Sequence, residues 1–316
     1  MSFSLTSKNE LSRIPVEDQC CALAELGGLI RMCGTIKILG KERVNLKFTT
    51  ENAAIARRIF TIIKYLYKTE VEVLVRKNRQ LKKNNNYLVQ ISSSRISKKA
   101  LVDVGFIDEN KKNIFNTNYK VKEDLIKKRC CKRAYIRGSF LGGGSISNPE
   151  KTYHLEMVTN NEEHAEDLRD ITNSFGLNSK IVLRKDNYVV YLKEGEQIVD
   201  FLNIIGAHQA LLKLEDIRVL KDVRNNINRI VNCETANLSK IINASMRQVQ
   251  YIEIIQRHMG LNELPDNLRA IAQLRLDNRD ASLKEIGMML DPPMGKSGVN
   301  HRFKKIEELA NELEGV

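Results

Sequence analysis

The 316-residue sequence has no apolar run near the roughly 18 residues that a membrane-crossing helix needs. Its opening stretch, MSFSLTSKNELSR, lacks the apolar core of a secretory leader. None of its six cysteines falls in a CxxC spacing, and residues 207–259 contain neither proline nor glycine. Hydrophobic residues are not scarce: they make up 42%, against 28% charged. That is ordinary globular composition, and it excludes disordered, collagen-like and fibrous classes. The expectation is a cytoplasmic protein with no membrane association. The length fits about two domains with real cores.

Acidic residues are few in the first part of the chain. Residues 1–140 hold 29 basic and 13 acidic side chains, residues 141–220 hold 8 and 13, and residues 221–316 hold 14 and 13. The net charge of +12 therefore sits in one half. A polyanionic partner suits that distribution, nucleic acid first and membrane surface second. A solvated surface tuned for solubility is the plain alternative.

The cysteines are Cys20, Cys21, Cys33, Cys130, Cys131 and Cys233. Neighbours on a helix point about 100° apart, so each adjacent pair is badly placed to chelate a metal. The six read as buried free thiols of a reducing compartment, with no metal and no cofactor.

Those pairs mark an internal repeat. CCALAELGGLIRMCGTI (20–36) faces CCKRAYIRGSFLGGGSI (130–146) at an offset of 110. LKFTTENAAIARRI (46–59) faces LEMVTNNEEHAEDL (155–168), VEVLVRKN (71–78) faces KIVLRKD (180–186), and YLVQISS (87–93) faces YVVYLKE (188–194). Each copy closes on an apolar helical stretch, ALVDVGFI (100–107) or QIVDFLNIIG (197–206). The alternation of Val71, Val73 and Val75 predicts a strand, and the spacing of Ala54, Ile55, Arg58, Ile59, Ile62 and Ile63 predicts a helix. Ser97 or a neighbour is the expected cap of the third helix. The pattern is αββαββα twice, over about 15–108 and 122–206. It predicts an α+β domain, either packed about a pseudo-two-fold axis or split into tandem domains.

LGGLIRMCG (26–34) and IRGSFLGGG (136–144) resemble the two motif helices of LAGLIDADG homing endonucleases. The resemblance implies helices packed side by side, with Gly27, Gly28, Gly34, Gly138, Gly142 and Gly144 permitting close approach. It also locates a gap. The metal-binding acids of that family correspond to Cys33 and Gly143. Glycine has no ligating side chain, and a thiol suits Mg²⁺ poorly. Glu25 and Glu150 lie too far along the chain to substitute. No catalytic residue is assigned.

Residues 207–260 read as helix. The Asn- and Arg-rich stretch 224–242 is either a polar linker helix with its own caps or a phosphate- or base-contacting segment. Residues 266–312 read as a helix-turn-helix. Asp266 or Asn267 is the expected cap of residues 268–276, and Ser282 with Glu285 forms a capping box. DPPMGKSG (291–298) reads as a turn, and Ser297 as the cap of the last helix. Val299, Phe303 and Ile306 form that helix's inner face. Asn300, His301, Lys304 and Lys305 lie outside, where Asn pairs with adenine and Lys with guanine. Lys296, Arg302 and Lys305 suit phosphates. With Ser282, Lys284 and Ser297 they form the expected DNA-binding set. A solvated three-helix bundle or a protein-docking module is the alternative.

CCALAELGGLIRMCG, CCKRAYIRGSFLGGGSIS, NRIVNCETANLSK and SLKEIGMMLDPPMGKSGVNHRFKKI together resemble the WhiA family of bacterial regulators. The resemblance implies a LAGLIDADG-like domain over 1–222 and a helical linker with helix-turn-helix over 223–316. It implies a nucleoid-associated regulator that binds double-stranded DNA without cutting it, in cell division, chromosome segregation or sporulation. Other regulators or segregation proteins are the implied protein partners. A protein-binding scaffold and an active homing endonuclease are the competing functions. In a LAGLIDADG-like saddle the strands of the first copy face the duplex. Lys37, Arg43, Lys47, Arg76, Lys82 and Lys83 are then the expected backbone contacts.

Overall fold

A computed structural model describes residues 2–38, 43–77, 85–107 and 118–315. The chain divides into two compact units, Met1–Lys221 and Asp222–Val316. Among the described residues no helix is long and apolar enough to cross a membrane.

The first unit opens with a helix absent from the repeat, α1 (Phe3–Leu11), capped by the Ser2 hydroxyl, which accepts from Leu5 N at 3.2 Å. Copy one follows as α2 (Gln19–Cys33), β1 (Gly34–Ile38), β2 (Val44–Thr50), α3 (Ala53–Tyr67), β3 (Val71–Lys77), β4 (Asn85–Ile91) and α4 (Ser94–Asp103). Copy two is α5 (Arg129–Gly143), β5 (Gly144–Ile146), β6 (Leu155–Thr159), α6 (Glu162–Asn173), β7 (Lys180–Arg184), β8 (Asn187–Leu192) and α7 (Gly195–Ile205). The expected αββαββα order holds in both copies. Each forms an antiparallel sheet, in the orders β1-β2-β4-β3 and β5-β6-β8-β7. One hydrophobic core runs through both copies, so they pack as one body and not as tandem domains.

The motif helices α2 and α5 lie side by side at its centre. Gly28 and Gly138 set their separation. A Cβ on Gly28 would meet Ser139 N at 2.7 Å, and one on Gly138 would overlap the Glu25 carbonyl. Other motif glycines act differently from expectation. Gly34 and Gly144 cap their own helices in extended conformation, where a Cβ would collide with the preceding turn. Gly27 faces the Leu125 side chain, not the opposite helix. The cap of α4 is Ser93; Ser97 is buried and its hydroxyl accepts from Leu46 N at 3.2 Å. The third helix of copy one also starts earlier than expected and stops at Asp103.

The helix α8 (His208–His258) follows α7. Glu10 of α1 caps its start, accepting from Gln209 N at 2.7 Å and Ala210 N at 3.0 Å. Residues 222–243 are exposed on every side. In the second unit, Ile252 and Ile255 of α8 pack with α9 (Asp266–Asp277), α10 (Leu283–Met289) and α11 (Lys296–Glu314). Pro265, not Asp266 or Asn267, stands at the N-cap of α9. The Ser282–Glu285 capping box forms, with Ser282 N donating to Glu285 Oε2 at 2.7 Å. Gly295, not Ser297, precedes α11, which starts within the expected turn.

Candidate nucleic-acid interface

Strand register decides which basic residues share a face. Thr35 pairs with Lys47, Lys47 with Gln90, and Glu72 with Gln90. Lys37 lies two residues from Thr35 and Arg76 four from Glu72. Even spacing keeps a side chain on one face of a strand. Lys37, Lys47 and Arg76 therefore stand together on the face opposite Val44, Leu46, Phe48, Val89 and Ile91, all fully buried. Lys37 and Arg76 are exposed and Lys47 half-buried; Arg43 is exposed just before β2. Lys82 and Lys83 lie outside the described residues. The equivalent face of the second sheet is different. At its centre Glu156 accepts from Ser145 at 3.2 Å, lies 3.2 Å from His154 Nε2 and sits 3.8 Å from Arg184. The two faces thus differ at their centres, Lys47 against Glu156, while Glu72 shares the first face and Lys180 and Arg184 share the second.

The C-terminal ends of α2 and α5 are where the resemblance places a divalent cation. Cys33 donates its thiol to the Leu29 carbonyl at 3.3 Å, and burial pushes it up to about 12. Gly143 faces the Met32 side chain. Lys8 of α1 stands beside Cys33 and over the Phe140 ring, 5.7 Å from its centroid, and burial lowers it to about 8. A thiol, a glycine and an amine do not offer the hard oxygens that Mg²⁺ needs. These residues do not fit such an ion.

Glu25 is fully committed elsewhere. Arg58 donates to its two oxygens at 2.7 and 2.8 Å, and Arg137 from the other copy donates at 2.9 Å. Glu150 lies exposed in the turn after β5. His164 is also buried. It contacts the Tyr135 hydroxyl at 2.9 Å and Thr159 at 3.1 Å, and burial together with the nearby Arg31 lowers it to about 3.

The cysteines depart from the expectation of uniformly buried thiols. Only Cys131 is buried; Cys20, Cys21 and Cys33 are half-buried, and Cys130 and Cys233 are exposed. More importantly, the two adjacent pairs meet. The Sγ atoms of Cys20, Cys21, Cys130 and Cys131 all lie within 4.8 Å of one another. One pair alone is badly placed for chelation, but the side-by-side packing of α2 and α5 assembles four sulfurs.

In the second unit, α11 buries Val299, Phe303 and Ile306. It exposes Lys296, Ser297, Asn300, His301, Lys304 and Lys305. Lys284 on α10 is also exposed, whereas Ser282 is half-buried and held in its capping box. Arg302 is half-buried, and its guanidinium donates to the Asn267 carbonyl at 3.2 Å. That bond braces α11 against α9. Charge along α11 is polar: the N-terminal half is basic, and the other half carries Glu307, Glu308, Glu312 and Glu314. Arg275, missed in the sequence, holds the α9–α10 loop. It is 1% exposed, donates to the Ala281 carbonyl at 2.6 Å and stacks on Phe303 at 5.4 Å.

Three family models cover most of the chain. The WhiA N-terminal LAGLIDADG-like domain matches residues 19–107, the WhiA LAGLIDADG-like domain 132–224 and the WhiA C-terminal HTH domain 227–310. The chain is 57% identical over 315 residues to the "Probable cell division protein WhiA" of Alkaliphilus metalliredigens, covering 100% of this chain and 99% of that one. It is 55% identical to the protein of the same name from Alkaliphilus oremlandii, over 99% and 98% of the two chains. The crystal structure of a full-length WhiA from Thermotoga maritima superposes with a TM-score of 0.60 at 28% identity, covering 99% of each chain. The chain belongs to the WhiA family.

Proposed function

We propose that the protein is a sequence-specific DNA-binding regulator of cell division that does not cut DNA. The single observation carrying this reading is α11. Its N-terminal half presents Lys296, Asn300, His301, Lys304 and Lys305 to solvent from a helix-turn-helix, at the positions that enter a major groove in such motifs. Asn300 and Lys304 read base edges, and Lys296 and Lys305 hold phosphates. Lys37, Arg43, Lys47 and Arg76 add sequence-independent affinity from the first unit. The role in division follows the name carried by the curated relatives. Segregation proteins or other regulators are its protein partners at the nucleoid. The misfit of Cys33, Gly143 and Lys8 to a divalent ion supports a scaffold kept without its reaction.

Chromatin immunoprecipitation with sequencing tests this reading, comparing the wild type with an Asn300→Ala, Lys304→Ala variant. Discrete peaks that vanish in the variant are expected. Enriched fragments incubated with the purified protein in Mg²⁺ or Mn²⁺ should stay intact. Peaks unchanged by the variant, or cleavage that co-purifies with the protein, would sink the reading.

A further inference from the structure

The four-cysteine cluster lies far from the inherited nuclease centre. Cys20 and Cys21 occupy the first turn of α2, and Cys130 and Cys131 the first turn of α5. Cys33 is twelve residues further along α2, about 18 Å at helical rise. The cluster therefore closes the N-terminal end of the motif-helix pair.

We propose that Cys20, Cys21, Cys130 and Cys131 form a tetrathiolate site for one zinc ion. The first argument is distance. Zinc binds thiolate at about 2.3 Å, so the sulfurs of a tetrahedral site stand about 3.8 Å apart. A set already within 4.8 Å reaches that geometry by small side-chain rotations. A multi-iron cluster interposes sulfide and spreads its thiolates wider. Two disulfides would instead draw the set into two close pairs, whereas here every sulfur neighbours the other three.

The second argument is charge. Four thiolates around Zn²⁺ leave a net negative site. It sits at the positive ends of two helix dipoles, which favour anions. The sequence around the second pair, KKRCCKR (127–133), adds five cations. The third is duplication. Both copies contribute the same two helix positions, so a site of four arises from a repeated pair without any further ligand. Chemically it is a closed structural site, since all four positions are filled by protein and none is left for water or substrate. Its effect is to clamp the two copies at the end of the helix pair remote from Gly142.

The test is metal analysis of the full chain, purified without oxygen or chelator and with a reducing agent. About one zinc per chain is expected, with Cys20→Ser and Cys131→Ser each losing most of it. Cys33→Ser and Cys233→Ser should keep it. Added Zn²⁺ should raise the melting temperature of metal-stripped wild type and leave that of Cys20→Ser unmoved. Should the serine variants fail to fold, Co²⁺ titration of stripped wild type still decides, because a tetrahedral tetrathiolate gives an intense visible spectrum. Wild type with four free thiols, no zinc and no such spectrum would overturn the proposal. So would two disulfides between the pairs, or stoichiometric iron with acid-labile sulfide.

Discussion

Glu25→Gln is the sharpest probe of how the two copies are joined. The carboxylate is fully buried and receives Arg58 at 2.7 and 2.8 Å and Arg137 at 2.9 Å. Arg58 belongs to the same copy and Arg137 to the other, so one anion ties α2 to both α3 and α5. Glutamine keeps the shape but removes the charge, and its amide NH₂ must face a guanidinium. A buried Arg58 and a half-buried Arg137 then lack their counter-ion. Removing one partner of a buried ion pair costs about 3–5 kcal/mol. In a unit of this size 1 kcal/mol moves the melting point by about 2–4 °C, so a fall of about 6–20 °C is expected. Glu156→Gln is the control, because Glu156 is itself 24% exposed, Arg184 is 61% exposed and 3.8 Å away, and its closer contacts, Ser145 and His154, are also part-exposed. Such pairs contribute about 0–1 kcal/mol. Circular dichroism melts at neutral pH read both variants. Equal, small shifts for the two would refute the reasoning that the buried triad holds the copies together.

Three further outcomes follow from buried groups and close contacts. His164 is lowered to about 3 from an ordinary 6.5, mainly by burial and then by Arg31. The unfolded chain therefore binds the extra proton first as pH falls below about 6.5, and stability drops by about 2 kcal/mol between pH 7 and pH 5. His164→Gln should flatten that slope in urea melts, and an unchanged slope would count against a neutral buried imidazole. Gly138→Ala gains about 1 kcal/mol of helix propensity but forces a Cβ into the Glu25 carbonyl, so a net loss of at least about 1 kcal/mol is expected by thermal melt. Arg302→Ala should lower the melting temperature of the second unit and leave the salt dependence of DNA binding nearly unchanged, because its guanidinium bonds to Asn267; a slope reduced by a full unit would mark it as a phosphate contact.

The repeat made the αββαββα order readable, because each copy reports the same alternation and helical spacing independently. Register was not readable, since alternation within a strand does not say which residues of different strands lie side by side; the pairing puts Lys37, Lys47 and Arg76 on one face. Caps were less legible. Ser93, Ser97 and Ser94 lie within five positions, and sequence gives no preference until the Ser97 hydroxyl is seen to accept from Leu46. Ser297 follows a glycine that takes the extended cap conformation first. The larger omissions are long-range. Nothing in MSFSLTSKNELSR indicates that Lys8 stands beside Cys33 or that Glu10 caps a helix starting at His208. The cysteine pairs were visible, but pairwise geometry was the wrong unit. Only helix packing across copies brings four sulfurs together.

The most direct measurement is the affinity of the full chain for a cognate and a scrambled duplex, by fluorescence anisotropy at several salt concentrations. Asn300→Ala should remove about 1–3 kcal/mol of discrimination between the duplexes and leave the salt slope unchanged. A Lys47→Ala, Arg76→Ala double variant should weaken both duplexes alike and flatten the slope by about two units. An Asn300→Ala protein that still separates the two duplexes as wild type does would contradict the assignment of α11 as the reading helix.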